Sequence, residues 1–255
     1  MVYIYPVGGF GNILFQVAAI TSFAKDIGVE PALLMVDRIV RDLDADDRIL
    51  TTHAREYRFL LNRYKQLQYI QRPTMNYPFH YVQPQIKDEH IYKGFFQCEK
   101  YFKHNREYIL EMFKPTKEID DIINKYEQYF GHIAIHVRRN DYLRYPHLHP
   151  VQSIEYYQKG IEMMPKDKKV LVFSDDIAWC KQNFIGERFI FMGEKDYVEI
   201  FIMAKMKYQV ISNSSFSWWG AWLSDAEKVV APKLWFGHAM QYSDKDIIPE
   251  HWIKL

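Results

Sequence analysis

The sequence predicts an α/β protein built on parallel sheets, and three observations lead there. The chain opens with a short apolar strand, Val2 to Tyr5, followed by a glycine turn at Gly8, Gly9 and Gly11. A helix pattern then runs from Asn12 to about Ile27, with Phe15, Ala19, Phe23 and Ile27 at helical spacing and Gly28 as a cap, before "PALLMV" resumes as a strand. From residue 131, strand patterns at 133–138, 169–174, 188–192, 209–212 and 228–231 alternate with helix patterns near 153–164, 176–183, 196–207 and 216–224. Such alternation implies a parallel sheet with helices on both faces. The polar, lysine-rich stretch at 114–130 reads as the junction, giving an N-terminal domain over 1–130 and a C-terminal domain over 131–255. Residues 40–90 are less regular, mixing charge and Tyr with Pro73, Pro78 and Pro84.

Composition narrows the function classes. The 255 residues are 48% hydrophobic and 25% charged, ordinary for a globular chain, and a net charge of +1 argues against a broad nucleic-acid surface. Tyr and Trp are plentiful, which suits sugar stacking and core packing equally. Cys98 and Cys180 are the only cysteines, so zinc or redox spacings are absent and a reducing compartment is expected. No run approaches the roughly 18 apolar residues of a membrane span, and no charged leader precedes the first strand. The expectation is a cytoplasmic protein without a transmembrane segment, with peripheral membrane contact left open.

In open parallel sheets ligands sit outside the carboxyl ends of the strands, and three polar clusters fall there. "HIAIHVRRNDYL" ends a strand in His136, Arg138 and Arg139, whose planar donor forks match a diphosphate, or else in an ion pair of an arginine with Asp141. Asn140 stands where the turn is expected to need a positive backbone angle. "VFSDDIAW" offers Asp175 and Asp176, either as acceptors for ribose or guanine or as a helix N-cap. "ISNSSFSWWGAW" sets Asn213, Ser214, Ser215 and Ser217 where a strand becomes a helix, a place that favours phosphate. Trp218, Trp219 and Trp222 read as core. "GGFGN" is neither a Walker loop nor a dinucleotide fingerprint, yet it allows close approach of a ligand to backbone. His147 and His149 in "YPHLHP" read as a surface loop, and no metal site is expected.

Taken together these segments resemble glycosyltransferase family 11, the α-1,2-fucosyltransferases. "GGFGNILFQVAA", "GFFQCEKYF" at 94–102, "HVRRNDY" at 136–142, "FSDDIAWC" at 173–180, "NSSFSWWGAW" at 213–222 and "VVAPKLWF" at 229–236 stand in the family's order. Two departures are evident: Asn140 replaces the usual glycine, and Ile13-Leu14 replaces the usual Gln-Met.

The resemblance implies a GT-B fold, two Rossmann-like halves facing a cleft. It implies inverting, metal-independent transfer of L-fucose from GDP-L-fucose to a glycan, with O2 of a terminal galactose as acceptor and no cofactor. Carried onto this chain, Arg138 meets the β-phosphate with Arg139 in support, and His136 with Asp175 or Asp176 meets the guanosine. Ser214, Ser215 and Ser217 lie near the diphosphate, with Asn213 beside them, and Gly9, Gly11 and Asn12 face it from the N-terminal half. Glu99 is the carboxylate chosen as general base, its alternative being a salt bridge to Lys100 or Lys103. Rival readings are transfer from another nucleotide sugar and a silent nucleotide- or glycan-binding protein.

Overall fold

The strand Ile133–Val137 is buried at every position, not only at its alternating isoleucines and valine. Burial on both faces is what a parallel strand under two layers of helices requires. The same holds for Val2–Ile4 at the start of the chain. These two strands centre two sheets. The computed structural model describes residues 1–34, 57–68 and 70–255, and their contacts divide them into two units. The first comprises Met1–Thr116 with Lys245–Ile247, the second Lys117–Asp244 with Ile248–Leu255. The boundary expected after residue 130 thus moves to Thr116, because helix Lys117–Ile123 packs on helix Asp196–Met203 of the second unit.

In the first unit, β1 (Val2–Ile4) is flanked by β2 (Pro31–Leu34) and β3 (Lys65–Leu67) on one side and by β5 (His90–Lys93) and β4 (Thr74–Asn76) on the other. Every pairing is parallel. Helix α1 (Phe10–Asp26) connects β1 to β2 and is buried almost all round, from Phe10 to Ala24. Gly28, at φ +69°, closes it in the left-handed conformation that glycine adopts most readily, and the Val29 amide reaches back to the Ala24 carbonyl. Residues 35 and 36 of "PALLMV", and residues 40–56 of the irregular stretch, lie outside the described residues. Short helices α2 (Arg58–Leu61) and α3 (Arg106–Met112) complete the unit.

The second unit begins with α4 (Lys117–Ile123) and holds a six-stranded parallel sheet. Its strands are β6 (Ile133–Val137), β7 (Val170–Ser174), β8 (Phe189–Phe191), β9 (Tyr208–Val210), β10 (Lys228–Ala231) and β11 (Ile253–Lys254). The spatial order β8-β7-β6-β9-β10-β11 is that of a doubly wound nucleotide-binding sheet, reversing direction between β6 and β9. Helices α5 (Ile154–Glu162), α6 (Ile177–Asn183), α7 (Asp196–Met203) and α8 (Ser215–Trp222) form the crossovers. Ile133, Ile135 and Val137 pack with Tyr156, Tyr157 and Ile161 of α5. His136 turns to the other face and meets Phe216 of α8, ring centroids 5.1 Å apart. Trp218, Trp219 and Trp222 are core residues that pack on one another.

Helix α5 approaches the sheet at Gly160, where an added Cβ would lie 2.6 Å from Cγ1 of Val210, a stiff β-branched side chain in the middle of the sheet. Gly160→Ala gains about 1 kcal/mol of helix propensity but overpacks this contact, a cost of about 1–3 kcal/mol. The expected result is a lower urea midpoint at unchanged slope. A raised midpoint would show that α5 can back away from the sheet at no cost.

Candidate functional site

The parallel register pairs Val137 with Ser174, so β6 and β7 end side by side and release Arg138, Arg139, Asp175 and Asp176 at one edge. Asp175 organises this edge. Its Oδ1 accepts from the Arg139 amide at 2.9 Å and its Oδ2 from the Asn140 amide at 3.2 Å. The same Oδ2 lies 3.2 Å from Nε of Arg138, which also donates to Asp141 at 2.9 Å. Burial outweighs these partners and raises the Asp175 carboxyl above its ordinary range. Asp176 caps α6 by accepting from the Trp179 amide, and its Oδ2 receives Nε of Arg139 at 3.1 Å. Asp175 and Asp176, one or the other of which was expected at the guanosine, are thus both engaged within the protein, holding the arginine loop.

The two arginines are not equivalent. The Arg139 guanidinium lies 4.0 Å over the Trp179 ring, and its side chain is 15% exposed against 35% for Arg138. Both carboxylate contacts of Arg138 use Nε, whereas its Nη atoms make no hydrogen bond among the described residues. Arg139 props the loop and Arg138 offers the fork. Asn140 does not take the positive φ expected of it. Its Nδ2 instead donates to the Asp175 carbonyl at 2.6 Å, a contact that glycine could not make.

Across the reversal point, Nδ1 of His136 lies 2.8 Å from Oγ of Ser212, just beyond β9. Burial first, and then the positive charge of Arg138, push the His136 imidazole down to about 3, so it is neutral at physiological pH. The strand end continues into Asn213, whose amide is engaged at both ends: Nδ2 donates to the Trp235 carbonyl and Oδ1 accepts from Gln152. The Tyr142 hydroxyl holds the Asn213 carbonyl at 2.9 Å. Ser217 turns inward and donates to the carbonyls of Ser212 and Ser214. Ser214 takes the N-cap position of α8 without making the side-chain cap, and no acidic residue follows in the first turn. Ser214, Ser215 and the first amides of α8 are thus what the serine cluster offers a ligand, with the helix dipole behind them.

In the first unit the glycine turn is held by Gln16, fully buried four residues beyond Asn12. Its Oε1 accepts from the Val7 amide at 2.9 Å, and its Nε2 donates to the carbonyls of Val7 and Asn12. Gly8 has φ +87° and would place a Cβ 2.7 Å from Nδ2 of Asn12, so the position requires glycine. Gly9 begins α1 as an N-cap with nothing within 4 Å of its Cβ direction, while Gly11 lies inside the first helical turn. Asn12 accepts at Oδ1 from Nε2 of Gln97 at 2.8 Å. Glu99 follows two residues later, its side chain 14% exposed and 3.8 Å from Nζ of Lys103, while Lys100 pairs with Asp246.

Two other arrangements were candidates for chemistry. Ser22, His104 and Asp26 have the residue types of a hydrolase triad, but Nε2 of His104 faces both partners at 3.2 and 3.0 Å. One nitrogen cannot relay a proton between them. His149 stacks on Tyr142 at 4.8 Å, and among the described residues no group of three His, Cys, Asp or Glu is placed to hold a metal ion. None of the described helices is long and apolar enough to cross a membrane. Sequence reading passed over Gln16, Gln97, Tyr142, Gln152 and Ser212. All but Gln152 lie inside quoted motifs, where their residue types alone did not reveal their distant partners.

Residues 2–255 match the family described as Glycosyl transferase family 11. An alpha-1,2-colitosyltransferase of Escherichia coli is 35% identical over 64% of this chain and 61% of its own length. The O-antigen biosynthesis glycosyltransferase WbnK of Escherichia coli is 31% identical over 67% of this chain and 62% of its own. The chain therefore spans about six tenths of the length of the curated relatives it matches. Among solved structures, the fucosyltransferase NodZ from Bradyrhizobium is similar with a TM-score of 0.51 at 16% identity, covering 88% of this chain and 93% of that one. The E. coli heptosyltransferase WaaC is similar with a TM-score of 0.50 at 10% identity, covering 99% and 92%. At such identities the likeness is one of fold, and the two Rossmann-like units are of the GT-B type. With the match running from the first strand to the last residue, the chain belongs to glycosyl transferase family 11.

Proposed function

We propose that this chain is an inverting α-1,2-fucosyltransferase that moves L-fucose from GDP-L-fucose to O2 of a terminal galactose. One observation carries the reading: the Arg138 fork stands at the end of β6, on the edge where the sheet order reverses toward β9 and the uncapped start of α8. In a single displacement the acceptor hydroxyl attacks fucose C1 while the bond to the β-phosphate oxygen breaks. Negative charge grows on the departing diphosphate, and donors already in position stabilise it. Arg138 supplies the paired donors, Ser214, Ser215 and the α8 amides supply neutral ones, and the neutral His136 contributes no competing charge. Gly9, Gly11 and Asn12 are assigned to substrate binding in the first unit, and Glu99 to accepting the acceptor proton. The acceptor is a galactose-terminated glycan.

A second donor has a specific observation behind it, the 35% identity to an alpha-1,2-colitosyltransferase. Colitose is L-fucose without the 3-hydroxyl, so both sugars suit the same diphosphate site. Side-by-side transfer from GDP-L-fucose and GDP-colitose to simple galactosides, read by mass spectrometry, decides between them. Failure with every nucleotide sugar would leave the silent binding protein as the better reading.

Arg138→Lys is expected to keep the fold and lose about 100-fold in turnover, the usual loss for one donor to a developing anion, because an ammonium cannot reproduce the fork. A lysine variant as fast as the parent would make Arg138 structural. Transfer is expected to persist in excess EDTA, since the positive charge at the phosphates comes from the protein. Activity abolished by EDTA and restored by magnesium or manganese would overturn that chemistry. Glu99→Gln is expected to slow transfer about 100-fold, the typical weight of a general base, with GDP affinity by calorimetry unchanged. Undiminished transfer excludes Glu99 as base, and lost GDP binding assigns it to the donor instead.

A further inference from the structure

Phe96 is held at φ +52°, a conformation that bulky L-residues rarely adopt. It is fully buried, and Phe23, Tyr77 and Tyr101 surround its ring at 5.9, 5.3 and 5.2 Å. The Cys98 amide returns to the Phe96 carbonyl at 2.7 Å, closing a three-residue turn with Gln97 at its centre. Such strain costs of order 1–3 kcal/mol and persists only where packing over-determines it. What the turn delivers is the Gln97 side chain, on a residue 6% exposed.

Gln97 is only half satisfied there. Its Nε2 donates to Oδ1 of Asn12, and its Oε1 is buried without a hydrogen-bond partner among the described residues. An orphaned buried acceptor carries a further cost of about 1–3 kcal/mol. A strained turn and an orphaned acceptor together serve a single contact, in which Gln97 donates and Asn12 accepts. With Oδ1 held by Gln97, Nδ2 is the group left over the Gly8 turn, where it makes no hydrogen bond among the described residues. Beside it Gly9 leaves open space, and the start of α1 has neither a side-chain cap nor an acidic residue in its first turn.

Resting on the transferase reading above, we infer that Gln97 is a positioning residue: it locks the Asn12 amide so that Nδ2 donates to a substrate oxygen at the glycine turn. That oxygen belongs either to the donor's diphosphate or to an acceptor hydroxyl, and the two sources separate by which KM changes. The reverse amide pairing, Nδ2 donating to Gln97, would present Oδ1 at the turn, repelling a phosphate oxygen and forcing an acceptor hydroxyl to donate rather than accept.

Gln97→Glu enforces that reverse pairing, because a carboxylate only accepts. kcat and both KM values are measured for Gln97→Glu, Asn12→Ala and the double variant, with Tm for each. The expected result is at least a tenfold loss in kcat/KM for Gln97→Glu, a similar loss for Asn12→Ala, and no additional loss in the double variant. A rise confined to the GDP-L-fucose KM identifies the diphosphate, and one confined to the galactoside KM identifies the acceptor. If Gln97→Glu lowers Tm sharply, Asn12→Asp keeps the contact from Gln97 and exchanges only Nδ2 for an oxygen, and the same loss is expected at parental Tm. Losses that add in the double variant, parental activity of Gln97→Glu, or parental activity of Asn12→Asp overturns the inference while leaving the transferase reading intact. A parent inactive with every nucleotide sugar fails the transferase reading instead, and this inference falls with it.

Discussion

The arginine loop of the second unit depends on one half-buried carboxylate. Asp175 receives two consecutive backbone amides and one guanidinium, and it can do so because β6 and β7 run parallel and end in register. Were they antiparallel, the residues after β6 would meet the start of β7, and the arginine loop would have no anchor. Removing the carboxylate would leave two amides without their acceptor and Arg138 with Asp141 alone, a larger penalty than the net value of the bonds themselves. The loop after β6 is therefore a preformed part of the sheet edge, with its shape fixed before a ligand arrives.

That anchoring has an electrostatic corollary. Asp141, Asp175 and Asp176 lie around Arg138 and Arg139, so the edge is nearly balanced in charge, in keeping with the net +1 of the whole chain. On the proposed reading, selectivity for an anion then comes from geometry. The carboxylates draw on Nε and on backbone amides, leaving the outer fork of Arg138 directed elsewhere. The buried, neutral His136 at Ser212 adds shape and a hydrogen bond without charge.

The sheet of the second unit was legible because its periodicities are unbroken. Every strand and helix expected between 133 and 231 is present, with termini shifted by a few residues. The tryptophans of α8 were rightly read as core, since three of them at helical spacing exceed what one exposed face can hold. Positions of polar residues were legible too, but their partners were not. Asp175 answers Arg139 and Asn140 from 36 and 35 residues away, and Gln97 answers Asn12 across 85. No local pattern encodes such pairs. Asn140 shows the cost of reading locally: its residue type suggested a left-handed turn, whereas the amide side chain had a distant carbonyl to bond. The return of Lys245–Ile247 to the first unit, where Asp246 binds Lys100 and the Tyr81 amide, carried no signal at all.

The described helices differ in how their first-turn amides are answered. Among the described helices longer than one turn, α5 is capped by Ser153 and α6 by Asp176, while α3, α4 and α7 carry acidic residues in their first turns. Each of these helices answers its own orphan amides and dipole from within the protein. Helices α1 and α8 do neither. They are also the helices that follow the central strand β1 of one sheet and the reversal strand β9 of the other. A serine stands at the N-cap of α8 yet makes no cap, forgoing about 1 kcal/mol, and a glycine stands at that of α1, forgoing roughly a few tenths of a kcal/mol. On the proposed sugar-nucleotide reading, these two starts, after Gly9 and after Ser214, are where first-turn amides stay open to anionic oxygens, a use that a purely structural α/β domain does not have.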